Sequence, residues 1–283
     1  MPSVSIVTAS YNYESYIGET LRSVLSQDHG DWELIIVDDG SSDNSVRIIE
    51  AFAASDRRIR LLTHPGGQNR GLAQTLKLGL RHAHGDLIAF LESDDLWRPD
   101  CLSRRCELFA RHPDADVLFN AVVPFGDEAE CRRYLRDARV REHRLGRTAW
   151  PRPIGRMMLF ENVIPTFSSV MIRRETLKFI DLDPPFDCFV DWWLYCQLAL
   201  RHRFLYVEEA LTLWRKHGRS YTRSTDTRRH PSLPAFTRAR LDMFQATPSW
   251  LVKLVALPVL RRPRLKKWLG GAVHRITTNW ASF

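Results

Sequence analysis

Acidic and polar side chains cluster at three points, each following a buried apolar run. The clusters read TASYN at residues 8–12, DDGSSD at 38–43 and ESDD at 92–95. Three carboxylates within four residues repel one another unless a cation or several hydrogen-bond donors compensate. Oxygen ligands of this kind suit a hard divalent cation, Mg²⁺ or Mn²⁺. Such a cation would in turn hold a diphosphate, so the last cluster points to metal-assisted chemistry on a phosphorylated substrate.

Other side chains of these clusters suit a nucleotide. The ring of Tyr11 offers a face for a base, and Asp38 or Asp39 can accept hydrogen bonds from a pyrimidine or a ribose. A further acidic residue, Asp191, starts a predicted helix after the proline-containing segment DPPFDCF. Asp is also common as a helix cap or turn residue. Asp43 is expected to be a cap, and Asp191 can be one too.

Alternating strand and helix patterns place the three clusters on one edge of a sheet. Apolar runs predict strands at residues 4–10, 33–40, 59–64 and 86–93, with helices between them and another after Pro99. The helix after the second strand is expected to open with Ser42 or Asp43 as N-cap. Such strands indicate a parallel sheet covered on both faces. Ligands of these sheets bind beyond the carboxyl ends of the strands, where the clusters lie.

The second half has a looser pattern. Residues 114–123 and 167–175 are predicted as strands, the latter returning to the sheet, and residues 204–217 as one or two strands. Helices are predicted over residues 191–201 and in a basic tail over residues 234–283. Residues 126–160 are charged and show no readable period.

The composition excludes several classes of protein. The 283 residues are 44% hydrophobic, which supports a folded core rather than disorder. The five cysteines contain no C-x-x-C pair, which argues against a disulfide framework or a zinc site and favours a reducing cytosol. Neither a signal peptide nor an apolar run of about 20 residues is present. We therefore expect a cytoplasmic protein that is soluble or at most peripheral on the inner face of the plasma membrane.

Charge is unevenly distributed along the chain. Residues 1–100 contain 9 basic and 15 acidic residues, and the remainder contains 32 basic and 18 acidic residues. From Met243 onwards there are seven Lys and Arg residues and no acidic residue. A basic amphipathic tail can bind an anionic membrane surface. The alternative is a helical appendage that packs on the domain and exposes its cations to water.

The motifs, in this order and on strand ends, resemble those of the family 2 inverting glycosyltransferases with the GT-A fold. Residues 2–125 carry the resemblance most strongly, through PSVSIVTASYN, VDDGSSD, NRG and FLESDDLW. Residues 165–220 carry it more weakly, through VDWW and WRKH. The resemblance implies an α/β, Rossmann-like, mostly parallel sheet with helices on both faces over residues 1–220. Residues 1–125 would bind the nucleotide, residues 126–220 the acceptor, and residues 221–283 would form a basic helical C-terminal extension.

The resemblance also implies roles for individual residues. Those implied to bind the nucleotide sugar are Thr8, Tyr11, Asp38, Asp39, Arg70, Ser93 and Asp94. Those implied to hold Mn²⁺ or Mg²⁺ are Glu92, Asp94, Asp95 and His217, with Asp94 or Asp95 as the direct ligand and His217 alternatively touching the diphosphate. Asp191 stands at the position of the catalytic base. The chain departs from the family pattern at Glu92, where Asp is usual, and at Val190, where Glu is usual.

The implied activity is metal-assisted transfer of one sugar from a nucleoside-diphosphate sugar, with UDP favoured, to a glycan or lipid-linked glycan. Bacterial cell-surface polysaccharide or lipopolysaccharide synthesis is the expected setting, and no nucleic acid partner is expected because no binding motif is recognised. A sugar nucleotidyltransferase is the first alternative, but it needs a Gly-rich loop where this chain has TASYNYES. The second alternative is a nucleotide-sugar-binding protein without catalysis, and Val190 is the only feature that favours it.

Overall fold

Nine strands form one mixed sheet in the part of the chain that this computed structural model describes. That part comprises residues 2–146, 150–154, 157–158, 161–184, 186, 188–218, 235–236, 239 and 243, and excludes the side chains of residues 139–142, 144 and 179. The predicted basic helical tail therefore lies almost wholly outside the described residues.

The elements alternate along the first half of the chain. The strands are β1 (Val4–Ser10), β2 (Trp32–Asp38), β3 (Ile59–Thr63), β4 (Leu87–Phe90), β5 (Leu96–Trp97), β6 (Val117–Gly126), β7 (Arg152–Pro153), β8 (Val170–Arg173) and β9 (Arg203–Lys216). The helices are α1 (Ile17–Leu25), α2 (Ser45–Ser55), α3 (Leu72–Arg81), α4 (Cys101–Arg111), α5 (Glu128–Gly146) and α6 (Val190–Ala199).

The sheet runs in the order β3-β2-β1-β4-β8-β6-β9-β5, and β7 also pairs with β9. The first four strands in the chain pair in parallel. β8 enters antiparallel to both β4 and β6, as predicted for a strand returning to the sheet. Because β1, β2 and β4 point the same way, their carboxyl ends meet at one edge.

Two apolar cores cover the two faces of this sheet. Alternate residues of β1 face opposite sides, so Val7 packs with α3 and α6, whereas Ile6 packs with α1, α2 and α4. Helix α1 buries Ile17, Leu21 and Val24 along one face, as its period predicts. Helix α6 is instead buried over nearly its whole length, which fits its apolar sequence.

A buried arginine joins four segments of the second half. Arg105 of α4 donates to Asn120 Oδ1 at 2.7 and 3.0 Å, to the Ser168 carbonyl at 2.8 Å and to Thr212 Oγ1 at 3.0 Å. Its guanidinium also lies 5.0 Å from the ring centroid of Trp97. The side chain has no exposed surface, so these hydrogen bonds replace part of the water that it loses, while Nη1 has no hydrogen-bond partner among the described residues.

Some predicted boundaries are corrected. Asn44, rather than Ser42 or Asp43, is the N-cap of α2, because the Asp43 carboxylate accepts from the Ser45 and Glu14 N–H groups and holds the preceding turn. The strand predicted over residues 167–175 shortens to β8, since 3₁₀ turns flank it on both sides.

The charged region after residue 126 contains α5, which the sequence reading missed. Ala138 and Leu145, seven residues apart, are the two buried side chains among those of α5 that the structure describes. So sparse an apolar stripe hides the helical period.

Candidate active site

A cavity of about 1200 Å³ opens at the carboxyl ends of β1, β2 and β4. The loop before α3, the start of α6 and the end of β9 complete its walls. Its lining includes seven of the residues singled out in the sequence, namely Tyr11, Asp39, Arg70, Glu92, Ser93, Asp94 and Asp191. Residues far apart in the chain, in both halves, therefore share one space.

Asp39 is fixed by the loop that follows β3. Its carboxylate accepts from the backbone N–H of Arg70 at 2.6 Å and from that of Gly71 at 3.0 Å. The two loops come this close because residue 40 is a glycine with φ +80°. Any other residue would place a Cβ atom 2.6 Å from the Gly67 carbonyl oxygen. Arg70 is exposed at the cavity wall, and Tyr11, another lining residue, is 46% exposed.

Asp38 and Thr8 lie outside the cavity. The Asp38 carboxylate accepts from the Gly40 N–H at 3.0 Å and from the Ser41 N–H at 2.8 Å, so it closes its own turn. Thr8 lies on the other face of β1, and its hydroxyl is buried without a hydrogen-bond partner among the described residues. Neither side chain reaches the space where a ligand would bind.

The acidic cluster consists of Glu92, Asp94 and Asp95, each offering an oxygen within 4.8 Å of the others. Asp95 is fully buried and lies behind the cavity wall, where it accepts from the Arg215 N–H at 2.8 Å and from Thr166 Oγ1 at 3.0 Å. Thr166 also hydrogen-bonds to Glu92. Glu92 and Asp94 face the cavity, so they are the members of the cluster that a ligand can reach.

Burial and mutual repulsion perturb these acids. Burial, together with the charge of Asp94, raises the pKa of Glu92 to about 7. The same causes raise the pKa of Asp95 well above its usual range. The pKa of the Tyr13 phenol, which also lines the cavity, is raised by burial and by the three acids. An arrangement of this kind favours a bound cation.

His217 lies against the cluster without lining the cavity. Its Nε2 is 2.8 Å from Asp94 Oδ2, and its ring centroid lies 4.5 Å from that of Tyr16. Arg215 donates to the Asp94 carbonyl at 2.8 Å and to Glu19 at 2.6 Å. These contacts hold the end of β9 against the loop that follows β4.

The carboxylates of the acidic cluster, with the neighbouring imidazole of His217, fit a divalent cation. Glu92 and Asp94 present oxygens to the cavity, and His217 supplies a nitrogen next to Asp94. Oxygen-rich donor sets with one imidazole suit Mn²⁺ or Mg²⁺ better than zinc, which prefers sulfur and several nitrogens.

Asp191 enters the cavity from the first turn of α6. The preceding Phe189 has φ +64°, an unusual backbone conformation for an aromatic residue, and it sets the direction in which the helix begins. Burial raises the pKa of Asp191 above its ordinary value, although backbone N–H groups of the helix start oppose this. Val190 belongs to the apolar core. Asp191 is thus a carboxylate with increased proton affinity, facing the space shared with Asp39 and Asp94.

Two cavity residues were missed in the sequence. Thr166 lies just before the turn leading into β8, and Lys216 ends β9. Burial lowers the pKa of Lys216 to about 8, against the charges of Asp95 and Glu92. The position of Lys216 next to His217 in the sequence could have indicated that it belongs to the site. Nothing in the sequence distinguishes Thr166 from other threonines.

Comparison with known proteins identifies relatives. Residues 5–180 match the family described as Glycosyl transferase family 2. The putative teichuronic acid biosynthesis glycosyltransferase TuaG of Bacillus subtilis is 42% identical over 106 residues, which span 38% of this chain and 41% of TuaG.

The fold is shared with solved glycosyltransferase structures. TarS residues 1–349 of S. aureus, in complex with UDP-GlcNAc, superpose with a TM-score of 0.63 at 16% identity, covering 87% of this chain and 68% of that one. The mannosyltransferase PcManGT of Pyrobaculum calidifontis, in complex with GDP-Man and Mn²⁺, gives 0.56 at 18% identity, covering 100% and 84%. The expected GT-A fold, with its mostly parallel sheet, is confirmed.

Proposed function

Because this chain belongs to Glycosyl transferase family 2, we propose that it transfers a sugar from a nucleoside-diphosphate sugar to an acceptor hydroxyl. The observation that carries the proposal is the shared cavity, which brings Asp39, the acidic cluster and Asp191 together. Asp39 suits a nucleotide, the acidic cluster suits a diphosphate with its cation, and Asp191 can accept a proton. The reaction is a direct displacement with inversion at the anomeric carbon.

The donor binds along the carboxyl ends of β1 and β2. The face of Tyr11 stacks on the base, Asp39 accepts from the base or the ribose, and Arg70 and Ser93 approach the nucleotide. UDP is the preferred nucleotide, and the TarS complex holds UDP-GlcNAc. GDP is the competing choice, since the Pyrobaculum neighbour holds GDP-Man. Asp38 and Thr8 support this region from outside the cavity.

Asp94 is the direct ligand of a divalent cation, with Glu92 and His217 beside it and Asp95 behind them. The hydrogen bonds of Asp95 to Thr166 and Arg215 occupy both its oxygens. A bound Mn²⁺ or Mg²⁺ supplies positive charge that stabilises the diphosphate leaving group. The Mn²⁺ complex of the Pyrobaculum neighbour supports this assignment.

Asp191 is the base. An acceptor hydroxyl is a weak nucleophile because its pKa lies far above neutral pH. A carboxylate within hydrogen-bond reach takes that proton during attack, which contributes about 10²–10⁴-fold in rate. The increased proton affinity of the half-buried Asp191 suits this transfer. Val190 supplies no second acid at this point.

The decisive experiment combines binding with turnover. Calorimetric titration with UDP, dTDP and GDP, each with and without Mn²⁺, should show one nucleotide binding tightly and only with metal. In Asp191→Asn, nucleotide binding should persist while sugar transfer falls at least 100-fold. Transfer near the wild-type rate in folded Asp191→Asn protein would reject Asp191 as the base. A folded wild-type protein that binds none of the nucleotides would reject the donor site and the enzyme with it.

The acceptor is a glycan or a lipid-linked glycan of a cell-surface polysaccharide. The teichuronic acid role named for TuaG supports this setting. None of the helices that the structure describes combines the length and the apolar composition of a membrane span.

A cytoplasmic protein could reach a lipid-linked acceptor through the basic tail after Met243, which lies outside the described residues. Co-sedimentation with anionic vesicles, but not with neutral ones, would support this contact. Equal recovery on both would refute an electrostatic attachment.

A further inference from the structure

Three consecutive basic residues lie at the end of β9 and directly after it, and two of them have hydrogen-bond or ion-pair partners inside the protein. Arg215 forms an ion pair with Glu19 at 2.6 Å and donates to the Asp94 carbonyl. His217 contacts Asp94 Oδ2 at 2.8 Å. Both therefore hold the loop after β4 in place.

Lys216, between them, is compensated at longer range, by the charges of Asp95 and Glu92. Its side chain lines the cavity, and its ammonium group has no hydrogen-bond or ion-pair partner within the described part of the chain. The ammonium lies over the ring of Trp214 and 5.2 Å from the ring centroid of Tyr134 in α5. A partly buried cation is costly unless it meets an anion. The carboxyl oxygens of Glu92 and Asp95 instead lie within hydrogen-bond distance of the Thr166 hydroxyl, which can donate to one of them.

The backbone fixes Lys216 in this position. Gly126 of β6 has φ +102°, and a Cβ there would lie 2.5 Å from the Lys216 carbonyl oxygen. The same carbonyl accepts from the Asp127 N–H at 2.8 Å. The close approach of β6 and β9, together with the two aromatic rings, holds the Lys216 side chain at the cavity wall.

We infer that Lys216 binds the diphosphate of the donor, a role that rests on the proposed function. In the displacement, the bond between the anomeric carbon and the β-phosphate oxygen breaks, and its electron pair stays on that oxygen. The acceptor oxygen forms the new bond and gives its proton to Asp191. Negative charge grows on the diphosphate, and a fixed cation stabilises that charge more in the transition state than in the ground state.

The test uses inorganic pyrophosphate premixed with Mn²⁺ as a probe that needs no base recognition, and the pair UDP and uridine as a second measurement. The variants are Lys216→Met, which keeps the stem, and Lys216→Arg, which keeps the charge. Lys178→Met is the matched control, because Lys178 is exposed and lies outside the cavity. Calorimetry on the full chain gives the dissociation constants, and thermal unfolding checks that each variant is folded.

Lys216→Met should weaken pyrophosphate and UDP binding at least 10-fold and leave uridine binding within twofold. Lys216→Arg should restore part of the loss, and Lys178→Met should behave as wild type. Unchanged pyrophosphate binding in Lys216→Met, or an equal loss for uridine, would overturn the inference, as would a wild-type protein that does not bind pyrophosphate. Lys216-dependent pyrophosphate binding without sugar transfer would instead refute the proposed function alone.

Discussion

Thr166 contacts two acidic side chains through one hydroxyl group. Glu92 and Asp95 both lie within hydrogen-bond distance of Thr166 Oγ1, and a hydroxyl has a single hydrogen to donate. The same oxygen accepts from the Ser168 N–H at 3.3 Å. Thr166 therefore couples the acidic cluster to the turn that leads into β8, whereas Asp94, which also lines the cavity, contacts His217 instead.

Substitution at Thr166 should separate this role from packing. Thr166→Val keeps the volume but removes the donor, so we expect it to lower the free energy of unfolding by about 1–3 kcal/mol. It should also weaken Mn²⁺ binding in the presence of nucleotide. Thr166→Ser, which retains the hydroxyl, is the control. Denaturant titration and Mn²⁺ binding measured by electron paramagnetic resonance test both effects, and equal behaviour of Val and Ser variants would contradict the assignment.

The raised pKa of Glu92 predicts a pH dependence of stability in metal-free protein. A folded-state pKa of about 7 against an ordinary value of 4.5 means that the folded protein binds the proton more tightly than the unfolded chain. The Glu92 contribution is therefore present below about pH 4.5 and is lost as pH rises to about 7, at a cost of about 1–3 kcal/mol.

Denaturant unfolding in EDTA across this window should show the loss for the wild-type protein. Glu92→Gln is the control, because its amide does not titrate. If the wild-type and Glu92→Gln proteins follow parallel curves between pH 4.5 and 7, Glu92 does not carry the effect.

At the scale of elements, the nucleotide region depends on two loops meeting at Gly40. The loop after β2 carries Asp39, and the loop before α3 supplies the two N–H groups that orient it. Neither loop would hold Asp39 alone. The geometry of this site is thus a property of the contact between loops, and it should be sensitive to any atom inserted there.

Gly40→Ala should disrupt that contact. The residue has φ +80°, and its new Cβ would meet the Gly67 carbonyl oxygen at 2.6 Å. We expect a loss of about 1–3 kcal/mol in stability and a weaker affinity for uridine. Gly30→Ala is the control, since a Cβ at Gly30 has no neighbour within 4 Å. Calorimetry measures the affinity of each variant for uridine. Wild-type affinity in Gly40→Ala would show that Asp39 is oriented by other means.

The arrangement of the elements also explains which features could be predicted from the sequence. The buried runs of β1, β2 and β4 and the polar residues after them could be read directly, because each strand is apolar on both faces. The distinction between Asp38 and Asp39 could not, since it depends on which loop each carboxylate faces. Thr166 and Lys216 reach the cavity through long-range strand order, and α5 conceals its period behind charged residues.

The whole molecule places chemistry contributed by both halves around one cavity. Beyond residue 218, Phe236 is fully buried against α6, with its ring stacked on Phe189 at 4.8 Å and packed at 5.2 Å from Trp192. Phe189 in turn precedes Asp191. The domain boundary predicted at residue 220 stays a prediction, and this contact offers a way to test it.

Phe236→Ala should destabilise the catalytic domain by about 3–5 kcal/mol, because it removes a buried ring. Leu135→Ala is the control, since Leu135 is 46% exposed. Equilibrium unfolding of the full chain measures both. Identical unfolding curves for Phe236→Ala and wild type would favour a separate extension from residue 221, whereas the expected loss would extend the folded domain past that boundary.

Arg105 restricts which substitutions its hydrogen-bond partners can accept one at a time. Its guanidinium serves Asn120, Thr212 and the Ser168 carbonyl at once, so replacing any one partner leaves buried polar groups unsatisfied. Single steps away from this arrangement are costly, while a concerted exchange for apolar residues need not be. Among relatives, positions 105, 120 and 212 should therefore vary together, with few sequences carrying an intermediate combination.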